Sequence, residues 1–522
     1  MKILRVVGVV VILAVACIAP GLFEGGAALA SSDDAVDDFI VIANAHYDYV
    51  TTSFKNLTYE DANAFYDEMK AHGWTCIDYK AQDTQARTPE VDWYLAHSTF
   101  AAAHNPNASG TRPEAVSEEV YGNDFYGDSA DQADSADIFY FMGHGWNSAS
   151  GHYGVLGLHK YNVTSTEDNQ FFTPQHVGNA WSKDLEWGVL AACSALKYDS
   201  SNKTGSGAYY YANAMDDGVH GFYGYKGTAP SWSGDEAIVD EFLLRAFGIR
   251  NIEPAVTLKD AWIGSNEWDG RGANWAILLH SGNEDDYLPR NWGGGGPGSD
   301  STSRTDIYYW DAAQIDGVIV PSSAAGTSDE NDRSVRFKRR GPVRQLAGGE
   351  WVYSASLEDR PTTMAPATAV AIGRACLREI CPVATAEGAL HSVREIRRIG
   401  LTNDKQETMG YIINFAQYVD GLRVAGGNGA MIWVRDSGVT YARVVWFDGQ
   451  APAVQGIQVD AKQAADVALG VIDLCQGPPV QISQDMVYYR EGGAPDLTRA
   501  WEIRYDDGQR VYVDVQSGEV LP

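Results

Sequence analysis

The stretch Ile138-Phe139-Tyr140-Phe141-Met142-Gly143-His144-Gly145 decides the fold class of this chain. Five apolar residues follow one another without polar alternation, which is typical of a strand that is covered on both faces. The run then ends abruptly in one imidazole that stands between two glycines. The pattern indicates a layered α/β structure in which a reactive side chain leaves the end of a buried strand.

A second stretch, Trp187-Gly188-Val189-Leu190-Ala191-Ala192-Cys193, has the same design with a thiol at its end. In a parallel sheet, neighbouring strands deliver their carboxyl ends to the same edge, where α/β proteins bind ligands. We therefore expect His144 and Cys193 to lie within reach of each other at this edge. Gly143 and Gly145 let the backbone approach a ligand closely, because they carry no Cβ.

The surrounding sequence extends the α/β pattern in both directions. Asp37 to Ala45 and Trp74 to Tyr79 have the composition of strands, and Tyr59 to His72 between them has helical spacing. Strand, helix and strand in this order predict a parallel unit. Downstream, the predicted elements are helices at Ala208 to Met215, Gly234 to Phe247 and Leu258 to Ser265, and strands at Val219 to Tyr225 and Trp275 to Leu279. We therefore predict one doubly wound, mostly parallel α/β domain over residues 37–290.

The chain changes character after this domain. Asn291 to Ser299 is dominated by glycine and predicts a flexible linker. The alternative, a phosphate-binding loop, lacks the Lys-Ser/Thr ending and the following helix. We assign residues 291–345 to the linker and a short connecting segment.

The C-terminal third predicts an α+β region made of two units, at residues 350–450 and 455–522. Each unit begins with a helix, at Ala367 to Arg378 in the first and at Asp460 to Ile472 in the second, and continues with antiparallel strands. The predicted strands are Met409 to Ala416, Leu422 to Ala425, Ala430 to Arg435, Val439 to Phe447, Met486 to Arg490, Ala500 to Tyr505 and Arg510 to Val515, with turns at Gly421, Gly429 and Gly438.

Residues 1–30 have the order of a secretory signal peptide. Basic residues precede an apolar stretch from Val6 to Ala19, and the small-residue site Ala28-Leu29-Ala30 follows. The apolar run is shorter than the ~20 residues that span a bilayer. We expect a secreted or extracytoplasmic protein without a stable membrane span after signal removal. An uncleaved anchor and lipid attachment at Cys17, with the protein held at the cell surface, are the alternatives.

The composition restricts the partners. The 522 residues include 39 Lys+Arg and 69 Asp+Glu, which gives a formal net charge of −30. A chain this acidic lacks the excess of basic residues that binds nucleic acid or an anionic membrane surface. We therefore expect no nucleic-acid partner.

An odd number of cysteines follows the predicted signal peptide, namely Cys76, Cys193, Cys376, Cys381 and Cys475. An odd count in an exported chain leaves at least one unpaired thiol, and Cys193 suits that role. We expect any disulfide to join two of the three C-terminal cysteines.

A thiol beside an imidazole is the pairing that nucleophilic catalysis uses. His144 would take the proton of the Cys193 thiol as general base and return a proton to the leaving amine as general acid. The backbone N–H groups of Gly145 and Cys193 would stabilise the oxyanion of the tetrahedral intermediate. These residue types predict covalent catalysis without a cofactor.

The two motifs resemble those of the caspase, legumain and gingipain group of cysteine peptidases (clan CD). In that group one hydrophobic strand ends in His-Gly and a later one ends in Ala-Cys or Gly-Cys, as Met142-Gly143-His144-Gly145 and Ala191-Ala192-Cys193 do here. Their separation is close to the ~50 residues seen in caspases. The resemblance covers residues 37–290 and implies a caspase-like fold, endopeptidase activity and a peptide or protein substrate. Because Ser194-Ala195-Leu196 replaces the longer caspase signature, it does not imply cleavage after aspartate.

Three more residues are candidates for the same cleft. His46 and Asp48 follow the first strand, where they would orient a substrate, hold a metal or have a purely structural role. Two ligands do not make a metal site, so we predict no metal and favour the structural role. Trp232 follows a later strand and would wall the cleft, because the clan's pocket-forming segments lie after the nucleophile strand. The acidic residues at Asp235, Glu236, Asp240 and Glu241 predict a solvated helix face.

A second class of function is open at this point. The same scaffold could serve as a non-catalytic, exported binding or adhesion protein that presents an aromatic surface. In that case His144 is a residue of a packed turn and Cys193 is an inert core residue.

Two stretches of the C-terminal third resemble modules that accompany exported peptidases. Phe415 to Val424 and the strand pairs after it resemble the propeptide domains of thermolysin-like proteases, and Arg499 to Val520 resembles a PepSY unit. The resemblance implies a chaperone or inhibitor role and contact with the α/β domain. No His-Glu-x-x-His occurs in the sequence, so the thermolysin-type zinc site is absent. A generic α+β accessory domain is the alternative.

Overall fold

A computed structural model of the chain describes its regular elements and many of the connections between them. The described residues are 38–44, 52–82, 136–143, 145–146, 154–157, 171–172, 174, 185–215, 219–230, 234–248, 255–267, 274–288, 306–312, 337, 339–346, 350–355, 360–382, 384, 389–401, 403–447, 449, 452, 456–469, 480–490, 496–505 and 510–521. The predicted signal peptide and the glycine-rich linker lie outside them.

The first part of the chain alternates strands and helices. Its described strands are β1 (Asp38–Asn44), β2 (Thr75–Gln82), β3 (Ile138–Gly143), β4 (Gly145–Trp146), β5 (Val155–Gly157), β6 (Phe171–Phe172), β7 (Trp187–Ala191), β8 (Gly221–Tyr225), β9 (Trp275–His280) and β10 (Asp306–Ala312). Its described helices are α1 (Thr52–Ala71), α2 (Gly207–Ala214), α3 (Gly234–Phe247) and α4 (Leu258–Glu267).

Strands dominate the second part. They are β11 (Val343–Gln345), β12 (Glu350–Ser354), β13 (Ala389–Gly400), β14 (Gln406–Ala416), β15 (Tyr418–Val419), β16 (Leu422–Ala425), β17 (Gly429–Arg435), β18 (Gly438–Val445), β19 (Gln481–Tyr489), β20 (Thr498–Tyr505), β21 (Arg510–Asp514) and β22 (Val520–Leu521). The described helices of this part are α5 (Pro366–Ile380) and α6 (Ala461–Leu469).

Strand β3 lies inside a parallel sheet with the order β2-β1-β3-β7-β8. Tyr140 and Met142 pack in one core with residues of α1, α3 and α4, whereas Phe139 and Phe141 pack in a second core with residues of α2. Helices therefore cover both faces of the sheet. This two-sided coverage is the physical reason for the uninterrupted apolar run in the sequence.

The sheet continues past the parallel strands into the C-terminal part. β9 is antiparallel to β8, and β10 pairs antiparallel with β9 on one side and β13 on the other. The result is a 13-stranded sheet with the order β11-β12-β18-β17-β14-β13-β10-β9-β8-β7-β3-β1-β2. The architecture is thus mixed α/β. The segment that we expected only to connect, within residues 291–345, supplies the strand that joins the two halves.

The antiparallel end of this sheet packs against α5. Its core includes Val370 and Leu377 of the helix and Ile413 and Ile432 of the strands. Turns occur at the predicted glycines, and all three have positive φ: Gly421 (79°), Gly429 (129°) and Gly438 (129°). Glycine adopts this backbone region without steric cost.

β13 was not predicted, although it is one of the longest strands. Its sequence is rich in charged residues, which obscures a strand pattern. The structure pairs these charges: Arg398 lies 2.6 Å from Glu407 of β14, and Arg394 lies 3.2 Å from the buried Glu267 of α4. Glu407 and Glu267 both lie outside β13. The charges that they neutralise therefore look unpaired in the local sequence.

A second sheet has the order β15-β16-β19-β20-β21-β22. Ala464 and Ala468 of α6 pack on one of its faces against Ile503, Tyr505 and neighbouring residues. The predicted arrangement of a helix with antiparallel strands is observed in this region, and the one parallel pair among these strands joins β16 to β19.

Ion pairs join α3 and α4 to the C-terminal strands. Glu241 of α3 lies 2.6 Å from Arg443 of β18 and 2.6 Å from Arg245 of its own helix. Arg435 of β17 lies 2.8 Å from Asp260 of α4. The prediction of a solvated helix face was therefore wrong for Glu241. Its partner Arg443 is about 200 residues away along the chain, so the local sequence does not reveal the ion pair.

The described cysteines form no disulfide with one another. Cys376 and Cys381 are both buried near the end of α5 and are not joined. Burial and the nearby charge of Glu379 raise the pKa of Cys376, so its thiol stays protonated. Cys17 and Cys475 lie outside the described residues. Among the helices that are described, none is both long and apolar enough to cross a membrane.

Candidate active site

Cys193 lies two residues beyond the end of β7, at the carboxyl edge of the parallel strands. Its side chain is 3% exposed and belongs to the core that α1, α3 and α4 cover. The backbone N–H of Ala229 donates a hydrogen bond to its Sγ atom at 3.3 Å. This hydrogen bond holds the sulfur against the loop that follows β8.

The turn that follows Cys193 is held in an unusual backbone conformation. Ser194 has φ of 55°, in the left-handed region that non-glycine residues rarely adopt. Its backbone N–H donates to the carbonyl of Gly227 at 2.7 Å, and that of Leu196 donates to the carbonyl of Tyr225 at 2.9 Å. Backbone in this region persists where surrounding contacts fix it, and such positions cluster at functional sites.

The pairing of β3 with β7 determines which residues share the edge. Met142 is paired with Ala191 in the parallel register. Cys193 follows Ala191 by two positions, and in the sequence His144 follows Met142 by the same number. Adjacent strands in a sheet are about 4.8 Å apart.

Gly145 touches the backbone of Cys193. A Cβ atom added at Gly145 would lie 2.5 Å from the carbonyl oxygen of Cys193, 3.2 Å from its nitrogen and 2.9 Å from Cβ of Ala192. Side chains do not tolerate such distances, so glycine is the residue that permits this approach. The structure thus brings together the two backbone positions that we expected to form an oxyanion hole.

The other predicted site residues are outside the part of the chain that the structure describes. These are His144 itself, His46 and Asp48 after β1, and Trp232 before α3.

The nucleophile turn, Cys193–Lys197, also contacts two neighbouring glycines. A Cβ atom added at Gly154 or Gly207 would lie 2.9 Å or 2.1 Å from the carbonyl oxygen of Ala195. The N–H of Ala208, in the first turn of α2, donates to the carbonyl of Lys197 at 3.1 Å. Contacts from β8 and the loop after it, from Gly154 before β5 and from the start of α2 therefore fix the backbone conformation of this turn.

The C-terminal part reaches the segment just after this turn. Asp404, in the turn between β13 and β14, lies 2.5 Å from Nζ of Lys203 and accepts a hydrogen bond from the Tyr198 hydroxyl at 3.5 Å. The hydroxyl of Tyr308 in β10 donates to the carbonyl of Leu196 at 2.8 Å. Residues 198–203 thus link the candidate site to the C-terminal strands.

Sequence reasoning missed the contribution of Ala229. Its backbone N–H reaches Cys193 from a loop after β8, and nothing in an alanine side chain marks that role. The available signal was the run of small residues from Gly227 to Ala229, which lets a backbone approach a neighbouring strand.

Sequence reasoning also missed a buried polar group at the opposite edge of the sheet. Asp286 accepts hydrogen bonds from the indole N–H of Trp187 at 3.1 Å and from Nδ1 of His220 at 2.8 Å. Both His220 and Asp286 are almost fully buried and lie at the amino ends of the parallel strands. This group ties the loop after β9 to the sheet and is remote from Cys193.

No group of three or more His, Cys, Asp or Glu residues within the described ranges has the arrangement of a metal site.

Comparison with known proteins identifies one similarity. Residues 112–313 match a family model described as "Domain of unknown function (DUF6345)". The match begins before β3 and ends just after β10, so it includes both His144 and Cys193. No curated protein and no solved structure matches the chain.

Proposed function

We propose that this chain is an exported cysteine peptidase of the caspase-like type, with Cys193 as nucleophile and His144 as general base and acid. The observation that supports this most is the parallel pairing of Met142 in β3 with Ala191 in β7, because His144 and Cys193 follow these two residues by two positions each in the sequence. The close approach of Gly145 to Cys193 adds to it.

The proposed reaction proceeds in two steps. In the first, His144 takes the thiol proton, the sulfur of Cys193 bonds to the carbonyl carbon of the substrate, and the carbon–nitrogen bond breaks as His144 gives the proton to the amine. In the second, His144 activates a water molecule, which hydrolyses the thioester and releases the acid. The N–H groups of Gly145 and Cys193 would hold the oxyanion in both steps.

The backbone around Cys193 suits this role. The hydrogen bond from the amide of Ala229 and the fixed turn at Ser194 would hold the sulfur in one position before attack. Positioning of this kind lowers the entropic part of the barrier.

Burial of Cys193 sets a condition on the mechanism. A side chain that is 3% exposed meets a substrate only after its neighbours move, so the carboxyl edge has to open during binding. The same observation favours the second candidate, a non-catalytic exported binding protein in which Cys193 is a core residue. The two candidates differ in whether the sulfur reacts.

The deciding experiment uses the full chain, a peptide library and a thiol-directed probe with mass mapping of the labelled residue. We expect peptide cleavage and labelling at Cys193, and we expect Cys193→Ala to remove both without changing the unfolding midpoint. Cys76→Ala in β2 is the matched control and should keep both. Turnover that is unchanged in Cys193→Ala would reject the mechanism, and a folded wild-type chain with neither cleavage nor labelling would favour the binding protein.

We also propose that the C-terminal region acts on the peptidase as a chaperone or inhibitor, as its likeness to propeptide modules implies. The ion pair between Asp404 and Lys203, in the segment after the nucleophile turn, supports this role.

A further inference from the structure

Three arginines surround one buried carboxylate in the second sheet. Glu502 of β20 is fully buried, and its carboxylate contacts Arg423 of β16 and lies 2.8 Å from Arg504. Arg510 of β21 approaches it only to 3.9 Å. Tyr512 donates its hydroxyl to the same carboxylate at 3.2 Å.

The strand pairing brings like charges together. Arg504 and Arg510 are directly opposite each other in the antiparallel pair of β20 and β21. Like charges in this position repel, so the pairing is unfavourable unless an anion lies between or beside them. Asp485 of β19 reaches Arg504 at 3.4 Å, but its side chain is half exposed. Among the described residues, which do not include Asp506 and Asp507, the three guanidinium groups are paired with two carboxylates, those of Glu502 and Asp485.

A cluster with more arginines than paired carboxylates is notable in a chain with a net charge of −30. The three arginine side chains are 11%, 29% and 14% exposed, for Arg423, Arg504 and Arg510 respectively. They are therefore largely shielded from bulk water, and Arg504 is the most exposed of the three. In such surroundings charge-assisted hydrogen bonds to an oxyanion are stronger than at a fully exposed surface.

The pKa values of groups in this cluster reflect the nearby arginine charges. Burial opposes ionisation of Glu502, but the charges of Arg423, Arg510 and Arg504 outweigh it and lower its pKa to about 2. Burial and then the same three arginines lower the pKa of the nearby His391 to about 3. Burial lowers the pKa of Arg510; Tyr512 and Glu502 act to raise it, and the charges of Arg423 and Arg504 act to lower it.

We propose that Arg423, Arg504 and Arg510 bind a small oxyanion, a phosphate or carboxylate group, beside Glu502. Arg510 is the principal ligand, since it has no carboxylate within 3.5 Å among the described residues, whereas Arg423 and Arg504 are bonded directly to Glu502. Guanidinium groups suit this role because their planar donors match the geometry of carboxylate and phosphate oxygens.

Calorimetric titration of the full chain tests this site. The probes are inorganic phosphate and acetate at pH 7, each against chloride at constant ionic strength. We expect saturable binding of at least one probe and roughly tenfold weaker binding in Arg510→Gln, because a charge-assisted contact is lost. Arg339→Gln, at an exposed position, is the matched control and should bind as the wild type does. Tighter binding of phosphate identifies a phosphoryl ligand, and equal or tighter binding of acetate identifies a carboxylate.

A second variant covers the case in which Arg510→Gln fails to fold. Arg510→Lys keeps the positive charge but loses the planar pair of donors, so it should fold and bind more weakly than the wild type. An independent readout is the titration of His391, followed by NMR of labelled histidine and assigned with His391→Gln. A bound anion offsets the arginine charges and should raise the pKa of His391. Absence of saturable binding, equal affinity in the Arg510 variants, or a His391 pKa that the anion does not change would each overturn the proposal.

Discussion

Nζ of Lys203, ten residues after the candidate nucleophile, lies 2.5 Å from the carboxylate of Asp404 in the turn between β13 and β14. Lys203 also donates to the carbonyl of Leu401 at 3.4 Å, and Tyr198 donates to Asp404. Two regions far apart in sequence are thus joined at the segment that continues the nucleophile turn. Through this contact, a change in the C-terminal region can alter the position of the segment that follows the candidate site.

Lys203→Met should therefore alter peptidase turnover more than stability. Both side chains of the pair are partly exposed, and exposed ion pairs contribute little to folding. We expect an unfolding midpoint near that of the wild type and a change in the rate of peptide cleavage by several-fold, measured on the full chain. Lys405→Met, which breaks the neighbouring exposed pair with Glu407, is the control. Equal cleavage rates in wild type and Lys203→Met would show that the contact does not reach the site.

Gly145→Ala should displace Cys193. The new Cβ would lie 2.5 Å from the carbonyl oxygen of Cys193, a distance that forces the backbone apart. We expect a loss of about 1–3 kcal/mol in the free energy of unfolding, as for other overpacked positions, together with loss of peptide cleavage. Denaturant unfolding and a cleavage assay measure the two effects. At Gly456 an added Cβ meets nothing within 4 Å, so Gly456→Ala should leave both unchanged. A fully active and stable Gly145→Ala would mean that the two backbones are not in contact.

Arg443→Met should destabilise the junction between the two parts. Burial opposes ionisation of Glu241, but Arg443 and then Arg245 outweigh it and lower its pKa, so removal of Arg443 leaves a buried charge with one partner fewer. Breaking a buried ion pair costs about 3 kcal/mol. Denaturant unfolding measures the loss, which the double variant Arg443→Met with Glu241→Gln should partly restore. If the double variant is no more stable than the single one, the pair is not the cause.

His391 should make the protein less stable as pH falls. Burial and the charges of Arg423, Arg510 and Arg504 lower its folded pKa to about 3, whereas in the unfolded chain its pKa is near 6.5. The unfolded state therefore binds a proton that the folded state does not, and stability declines as pH is lowered from about 6.5 towards 3, by on the order of 4–5 kcal/mol. Glu502, with its pKa lowered to about 2, adds to the decline below pH ~4.5.

Denaturant unfolding at pH 6.5, 5 and 4 checks this dependence, with His391→Gln as the test variant. The variant should show a flatter profile between pH 6.5 and 5, where Glu502 does not yet titrate. Glu519→Gln, at an exposed position, should keep the wild-type slope. Parallel profiles for wild type and His391→Gln would place the origin of the slope elsewhere.

The parallel strands and their helices could be predicted from the sequence, since a strand covered on both faces leaves an uninterrupted apolar run, as in β3 and β7. β13 could not, because its charges are neutralised by residues such as Glu407 and Glu267 that only the folded chain brings near. The same limit applies to the site. Cys193 and Gly145 carry recognisable side-chain or glycine signals, whereas the amide of Ala229 contributes through its backbone alone.

The pairing of β10 with both β9 and β13 bears on how the chain has to be made. A polypeptide that stops before residue 389 would carry β10 with one row of N–H and C=O groups unmatched, and open strand edges of this kind promote aggregation. The α/β part can complete its sheet only after β13 has been synthesised. Completion of the sheet is therefore tied to synthesis of the chain as far as residue 400, well beyond β10.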